Sequence, residues 1–426
     1  MNARTALERC DALAAVSALP DGLIERTYLT EEHERANSKT ARWMAEAGLS
    51  TWRDAAGNIC GRLEGERPGL PALLLGSHLD TVPRAGRYDG ILGVMIAIEV
   101  AARIGAGVRP LPFALEIVGF GDEEGTRFGA TLLGSRALAG TWDPAWWALT
   151  DADGLSLREA YAAFGLDPGA IGLAARRPEH LVGYLEAHIE QGPILEARDC
   201  ALGVVSSIAG ARRMLITITG RAAHAGTPYA LRHDALTGAS EAILAIESLA
   251  PGFGLIATVG RISAQPGAVN VVAGSATFSL DLRAASDELR DNGLAELLEE
   301  IGGICTRRGL TVEVQHTHSA ETVHCDAGIK AVLSHAIGTT GDHDPLELFS
   351  PPGHDAMALA SLTRVGMLFV RCAGGVSHHP AESVLEQDVA LAIDAMHAAV
   401  LHLAETYEDG ACGTLCDAVD ELGQAQ

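Results

Sequence analysis

The chain has 426 residues, enough for two domains and more than one core, and its 48% hydrophobic and 20% charged content is that of an ordinary globular protein. Its 55 Asp and Glu stand against 31 Lys and Arg, a formal net charge of -24, which excludes nucleic acid and an anionic membrane surface as partners. A small anionic substrate remains open, because it needs only one or two local cations.

The first twenty residues mix charges into apolar positions and read as an amphipathic helix, not a secretory signal. No apolar run approaches the length of a membrane span. "ALLLG" (Ala72 to Gly76) predicts a buried strand, Ile91 to Gly105 a helix, Phe113 to Phe120 a second strand, and "LVGYLEAHIE" a further one. Strands alternating with helices predict an α/β layer with a mainly parallel sheet and helices on both faces. The middle differs. "RRMLITITGRA" and "ATFSLDLRA" alternate apolar and polar positions, as strands with one wet face do, and helical patterns cover Ala235 to Leu249 and Glu288 to Arg307. We therefore expect a discontinuous catalytic domain over 1–209 and 326–410, a smaller α+β domain inserted at 210–325, and a polar tail at 411–426. In the returning α/β part, a helix is expected over Ile329 to Thr339, a strand at "RVGMLFV", and a closing helix over Glu386 to Thr406. The eight cysteines are scattered (Cys10, Cys60, Cys200, Cys305, Cys325, Cys372, Cys412, Cys416), with no zinc-ribbon spacing and no secreted framework; they read as reduced thiols of a cytoplasmic protein.

Acids and histidines gather where the predicted strands end. "LLLGSHLDTV" carries His78 and Asp80, "GRYDGILG" Asp89, "GFGDEEGTRFG" Glu123 and Glu124, "LEAHIEQG" His188, Glu190 and Gln191, and "GGVSHHPAE" His378, His379 and Glu382. Ligands of open α/β sheets bind outside the carboxyl ends of the strands. Asp122, Glu123 and Glu124 stand in a row directly after an apolar run. Clustered carboxylates repel unless they are solvated or have something positive among them. Imidazole with carboxylate suits zinc, manganese, cobalt or nickel, and two ions need five or six protein ligands with one shared carboxylate. His78, Asp89, Glu124, His188 and His378 supply that set, with Glu123 as general base and Asp80 accepting the ring proton of His78. Asp122 is left as a structural or solvated acid. His33, His180, His343 and His402 belong to no such cluster and read as ordinary surface or core residues.

Taken together, "GSHLDTV", "YDGILG", "DEEGTRF", "EAHIEQGPILE", "HAGTP", "NVV", "DLR", "GHDA" and "SHHPAE" resemble the amidase and carbamoylase branch of the dinuclear zinc aminopeptidase-like hydrolases, from about Thr27 to Glu405. That branch includes N-carbamoyl-L-amino acid hydrolases, allantoate amidohydrolases and β-ureidopropionases. The resemblance implies two divalent ions per subunit held by His78, Asp89 (bridging), Glu124, His188 and His378, with Glu123 as base. It implies that Gln191 and His224 contact substrate, His224 polarising the scissile carbonyl from the inserted domain of a homodimer's other subunit. Asn270 and Arg283 resemble the pair that holds the substrate carboxylate, and Gly353 the backbone that contacts it. The chemistry implied is hydrolysis of a ureido C–N bond, with Glu123 moving the water's proton to the leaving nitrogen. An N-carbamoyl amino acid would give the amino acid, ammonia and carbon dioxide; allantoate would give ureidoglycine.

Three stretches depart from the family pattern: "HAGTPYALRHD" is one residue short before its proline, "SPPGHDA" places Pro351 and Pro352 before Gly353, and "SHHP" carries His379. All three bear on substrate recognition more than on metal binding. Two rivals stand beside this reading. A related peptidase or N-acyl-amino acid deacylase would keep the metals with another pocket, against which "HIEQG" speaks. A catalytically silent binding protein would be expected to have lost Glu123 or a ligand.

Overall fold

A computed structural model describes residues 2–407 apart from residue 108; Cys412, Cys416 and the tail lie outside the described residues. The chain divides into two compact units. Among the described residues the larger comprises 2–206, 325–348 and 354–407; the smaller comprises 207–324 and 349–353. The sequence reading left 349–353 with the larger part. They fall in the smaller unit, where the Pro351 carbonyl accepts a 2.9 Å hydrogen bond from Arg283 and the Ser350 carbonyl accepts from the Ala209 amide.

The larger unit is built on a sheet whose successive strands are Ser50–Arg53, Ile59–Leu63, Ala114–Phe120, Ala72–His78, Leu181–Ile189, Val365–Val370 and Leu202–Ile208. The central pairs are parallel and the outer ones antiparallel. Every residue of Ala72–His78, Ala114–Phe120 and Val365–Val370 is buried, which is why these strands read as unbroken apolar runs without alternation. Helices Ala3–Ala14, Ile91–Gly105, Ala327–Gly338 and Glu386–Glu405 share one continuous core with them. Helix Ile91–Gly105 is apolar nearly all round, as suits a helix packed between sheet and neighbours. The short helices Leu133–Leu138 and Ala356–Leu359 pack on each other.

The parallel register aligns the carboxyl ends. His78 is level with Phe120, and His188 with Phe369. The segments that follow these strands therefore leave from one edge. Two glycines allow the close packing behind it. A Cβ on Gly76 would lie 2.2 Å from the Val118 carbonyl oxygen, and one on Gly93 would lie 2.0 Å from that of Ala187.

The smaller unit carries a five-stranded antiparallel sheet in the order Ile262–Gln265, Ser275–Ala284, Gly210–Thr219, Thr311–Ser319, with Ile256–Thr258 also on Ser275–Ala284. Burial alternates strictly along Ser275–Ala284, and the buried half joins helices Ala235–Leu249 and Asp287–Arg308 in a separate core. Helix Asp287–Arg308 is delimited by its sequence: Ser286 caps the amide of Leu289, Asp287 and Glu288 fill the first turn, Arg307 and Arg308 the last, and Gly309 (φ 63°) ends it. A separate ladder pairs Ala223–His224 with Val271–Val272.

Among the described residues no helix is long and apolar enough to cross a membrane, and the six described cysteines are free. The contact at Gly93 gives a test of the packing. Gly93→Ala should destabilise the protein by about 1–3 kcal/mol, because a backbone carbonyl cannot move aside as a side chain can; an unchanged urea midpoint would refute the close approach.

Candidate metal centre and active site

His78 is the last residue of its strand and is buried. Its Nδ1 lies 3.1 Å from the backbone oxygen of Asp80, which directs Nε2 toward Asp89 Oδ1 at 4.0 Å. Gly90 makes this possible: its φ is 71°, and a Cβ there would lie 2.3 Å from the His78 ring. His188 repeats the arrangement one strand along. Its Nδ1 is 2.9 Å from the Ile189 carbonyl, and its buried Nε2 lies 3.3 Å from Asp89 Oδ1 without a hydrogen-bond partner. His378 approaches the other side of the same carboxylate. Its Nε2 is 2.9 Å from Asp89 Oδ2 and 3.4 Å from Glu124 Oε1. The two oxygens of Asp89 thus face two different groups of ligands.

Three sets of atoms lie within 4.8 Å of one another around this carboxylate: His78, Asp89 and His188; Asp89, Glu124 and His378; and His78, Glu123 and Glu124. A further set, Glu186, His188 and His354, lies beneath. Glu186 is engaged by Ser77 Oγ at 2.8 Å and by the Ala356 amide at 3.2 Å.

The acids behave as a crowded, buried group. Burial pushes the Glu124 carboxyl up to about 7, reinforced by the charge of Asp89. Burial also raises Glu123 well above the usual carboxylate range, opposed by the charge of His78. Burial alone would raise Asp89 too, but its hydrogen bond to His378 and the nearby His188 and His78 hold it below the ordinary range. The hydrogen bond to Asp89 lifts His378 to about 9, while burial drops His188 to about 4. A divalent cation fits this donor set. Two histidines have one ring nitrogen occupied by backbone oxygen and the other aimed inward, one of these buried without a partner, and three carboxylates share too little positive charge.

Asp80 differs from expectation. The His78 ring meets its backbone carbonyl at hydrogen-bond distance, with the carboxylate at 3.6 Å. The Asp80 carboxylate instead accepts the amides of Glu123 (3.1 Å) and Glu124 (3.2 Å), and so holds the acidic turn in place. Asp122 is fully buried, not solvated; it takes φ 63°, and neither of its oxygens has a hydrogen-bond partner among the described residues. Burial raises its carboxyl well above the usual carboxylate range, reinforced by the charge of Asp80. His33 is a core residue whose Nδ1 accepts the Leu29 amide at 3.0 Å.

Gln191, at φ 55°, directs Nε2 to Asp89 Oδ2 and Ser377 Oγ, both at 3.1 Å. His378 also takes a positive φ, 53°. Two non-glycine residues held in this region at one site mark a backbone constrained by its surroundings. The sequence did not single out Ser377, and it named Glu382 only as a member of a cluster. Both sit here: Glu382 accepts from the amides of Tyr88 (2.7 Å) and Asp89 (3.2 Å) and from Ser377 Oγ (2.9 Å). A buried acid four residues after a candidate histidine ligand was the available signal.

The smaller unit brings together His224 and Asn270, since His224 pairs with Val271 and the Ala225 amide donates to the Asn270 carbonyl at 2.9 Å. His224 Nδ1 accepts the Gly226 amide at 3.1 Å, so a neutral ring carries its proton on Nε2. Arg232 closes the shortened loop, donating to the carbonyls of Thr227 (2.8 Å) and Ala225 (2.6 Å) and lying 4.0 Å over the Tyr229 ring. Arg283 spends three N–H donors on Asp281 and the Pro351 carbonyl. It therefore lies beside the segment that ends at Gly353. Asp281 is shared with Arg213 at 2.7 Å, leaving the trio one net positive charge. His379 is turned to its own loop, accepting the Ala381 amide at 3.1 Å.

The chain is 40% identical over 406 residues to an allantoate deiminase of Arabidopsis thaliana, covering 87% of this chain and 76% of that one. It is 38% identical over 400 residues to an N-carbamoyl-L-amino acid amidohydrolase of Geobacillus stearothermophilus, covering 93% and 98%. A hydantoinase/carbamoylase family amidase from Burkholderia ambifaria superposes with a TM-score of 0.87 at 31% identity, covering 95% and 98%. The profile of peptidase family M20/M25/M40 matches residues 74–402, and the chain belongs to that family.

Proposed function

We propose that this protein is a dinuclear metal amidohydrolase that cleaves the C–N bond of a ureido group on a small carboxylate, of the allantoate or N-carbamoyl-L-amino acid kind. The observation that carries the reading is the Asp89 carboxylate, whose oxygens face His78 and His188 on one side and His378 and Glu124 on the other. His78, Asp89 and His188 would hold one ion; Asp89, Glu124 and His378 would hold the second. Zinc or manganese bound there would polarise a carbonyl oxygen and make water a nucleophile at neutral pH.

The remaining work falls to the chain itself. Glu123, buried and with a raised pKa, can accept a proton from water and return it to the leaving nitrogen. His224 presents an Nε2–H donor suited to the charge that develops on a carbonyl oxygen. Arg283, Asn270 and the Gly353 backbone are assigned to the substrate carboxylate. Gln191 is assigned to substrate as well, from its place beside Asp89. We also infer a homodimer in which His224 serves the neighbouring subunit; the exposed apolar residues Tyr229 and Leu231 on its loop support this. Six free cysteines support a reducing compartment, as the cytoplasm provides.

Four outcomes are expected. Without metal, His378 keeps its proton up to pH about 9, and binding must displace it. Apparent manganese affinity should therefore rise with pH between about 7 and 9 by at least about tenfold per unit; a flat profile in chelator competition would remove His378 from the ligand set. Glu123→Gln should lower kcat by about 10²–10⁴-fold with metal content unchanged, and unaltered turnover would refute its role as base. Ammonia release should be detected from allantoate or from N-carbamoyl-L-amino acids assayed side by side. Arg283→Ala should raise KM for the preferred substrate by about 10–100-fold, the equivalent of a lost charge-assisted hydrogen bond. Hydrolysis of peptides or N-acyl amino acids alone would overturn the proposal.

A further inference from the structure

Asp89 and His378 come from loops far apart in sequence, and one carboxylate joins them. Glu382 is 3% exposed. Its Oε1 accepts the amides of Tyr88 (2.7 Å) and Asp89 (3.2 Å), and its Oε2 accepts Ser377 Oγ (2.9 Å). These donors lie on the two loops concerned, the last of them next to His378. The Asp89 loop is shaped around this group, since a Cβ on Gly86 would lie 2.2 Å from Glu382 Cδ. Its two oxygens between them accept all three donors.

The effect extends to Gln191. Ser377 has one hydroxyl proton and two neighbouring acceptors, Glu382 Oε2 at 2.9 Å and Asp89 Oδ2 at 3.3 Å. The shorter contact takes the proton. The Ser377 oxygen is then left to accept the Gln191 amide at 3.1 Å, and the same amide also donates to Asp89 Oδ2.

We infer that Glu382 is a positioning residue that sets the separation of Asp89 and His378, and thereby the grip on the ion those two would share with Glu124. The inference rests on the metal centre proposed above. Groups that orient metal ligands in this way are typically worth about 10–100-fold in metal affinity.

The test is titration of the metal-stripped full chain with manganese, by calorimetry and chelator competition, alongside thermal melting. The unaltered chain should take up two ions. Glu382→Ala should weaken one of them by tenfold or more and the other by less than threefold. Glu382→Gln should fall between, because its amide oxygen can still accept from Tyr88 and Asp89 while its NH2 group faces Ser377. A folded Glu382→Ala chain that binds both ions with unaltered affinity would overturn the inference, as would equal weakening of both ions in step with a lowered melting temperature. If Glu382→Ala does not fold, Glu382→Gln and Ser377→Ala decide: selective weakening of one ion supports the role, and unaltered affinity in both refutes it. No ion uptake by the unaltered chain would fail the metal-centre reading itself, whereas two ions bound alike by all chains would fail this inference alone.

Discussion

The larger unit depends on one carboxylate that has no local reason to be where it is. Asp89 is buried among three imidazoles and two other acids, and each of its oxygens faces a different group. Burying a carboxylate is costly unless it is paired and hydrogen-bonded. Here the surroundings are arranged around that cost. Histidine rings crowd both of its oxygens, and the Gln191 amide donates to Oδ2 from the remaining direction. Such an arrangement is poised for a divalent cation, which removes the repulsion among Asp89, Glu123 and Glu124 at once.

Rigid elements supply most of the candidate ligands, and glycine permits their approach. His78 and His188 are anchored in buried parallel strands, where neither ring can swing away. Asp89 sits at the start of a helix packed too tightly for a side chain at Gly93, and Gly90 clears the space that the His78 ring fills. His378 is the exception. It is half exposed and stands on a loop, so its place depends on Ser377 and Glu382 more than on a strand. The candidate centre thus combines two fixed histidines with one that its loop must hold.

The smaller unit has a different logic. Its sheet keeps one wet face, its helices cover the other, and its site residues stand on short ladders and loops. Two of the departures from the family pattern are engaged by arginines. Arg232 ties down the short loop after His224, and Arg283 takes the Pro351 carbonyl where proline has removed amide donors.

The elements were legible because their patterns are local. Unbroken apolar runs marked the central strands, alternation marked Ser275–Ala284, and helical periodicity marked Asp287–Arg308 to within a residue. The clusters of acids and histidines after those strands were equally plain, since parallel strands must deliver their ends to one edge. Other features were not legible. Nothing in "HLD" says that Asp80 turns its carboxylate to the next acidic loop and offers His78 only a backbone oxygen. Nothing in "DEEG" says that Asp122 is sealed from solvent while its neighbours face the centre. Nothing in "SHHPAE" says that Glu382 reaches a loop some 290 residues earlier. The sequence by itself determined which groups are candidates to carry the chemistry, because residue type and spacing along a strand or helix are properties of the chain. Only the tertiary structure decided which atom of each group faces which, because that depends on contacts between segments whose separation along the chain holds no record of their distance in space.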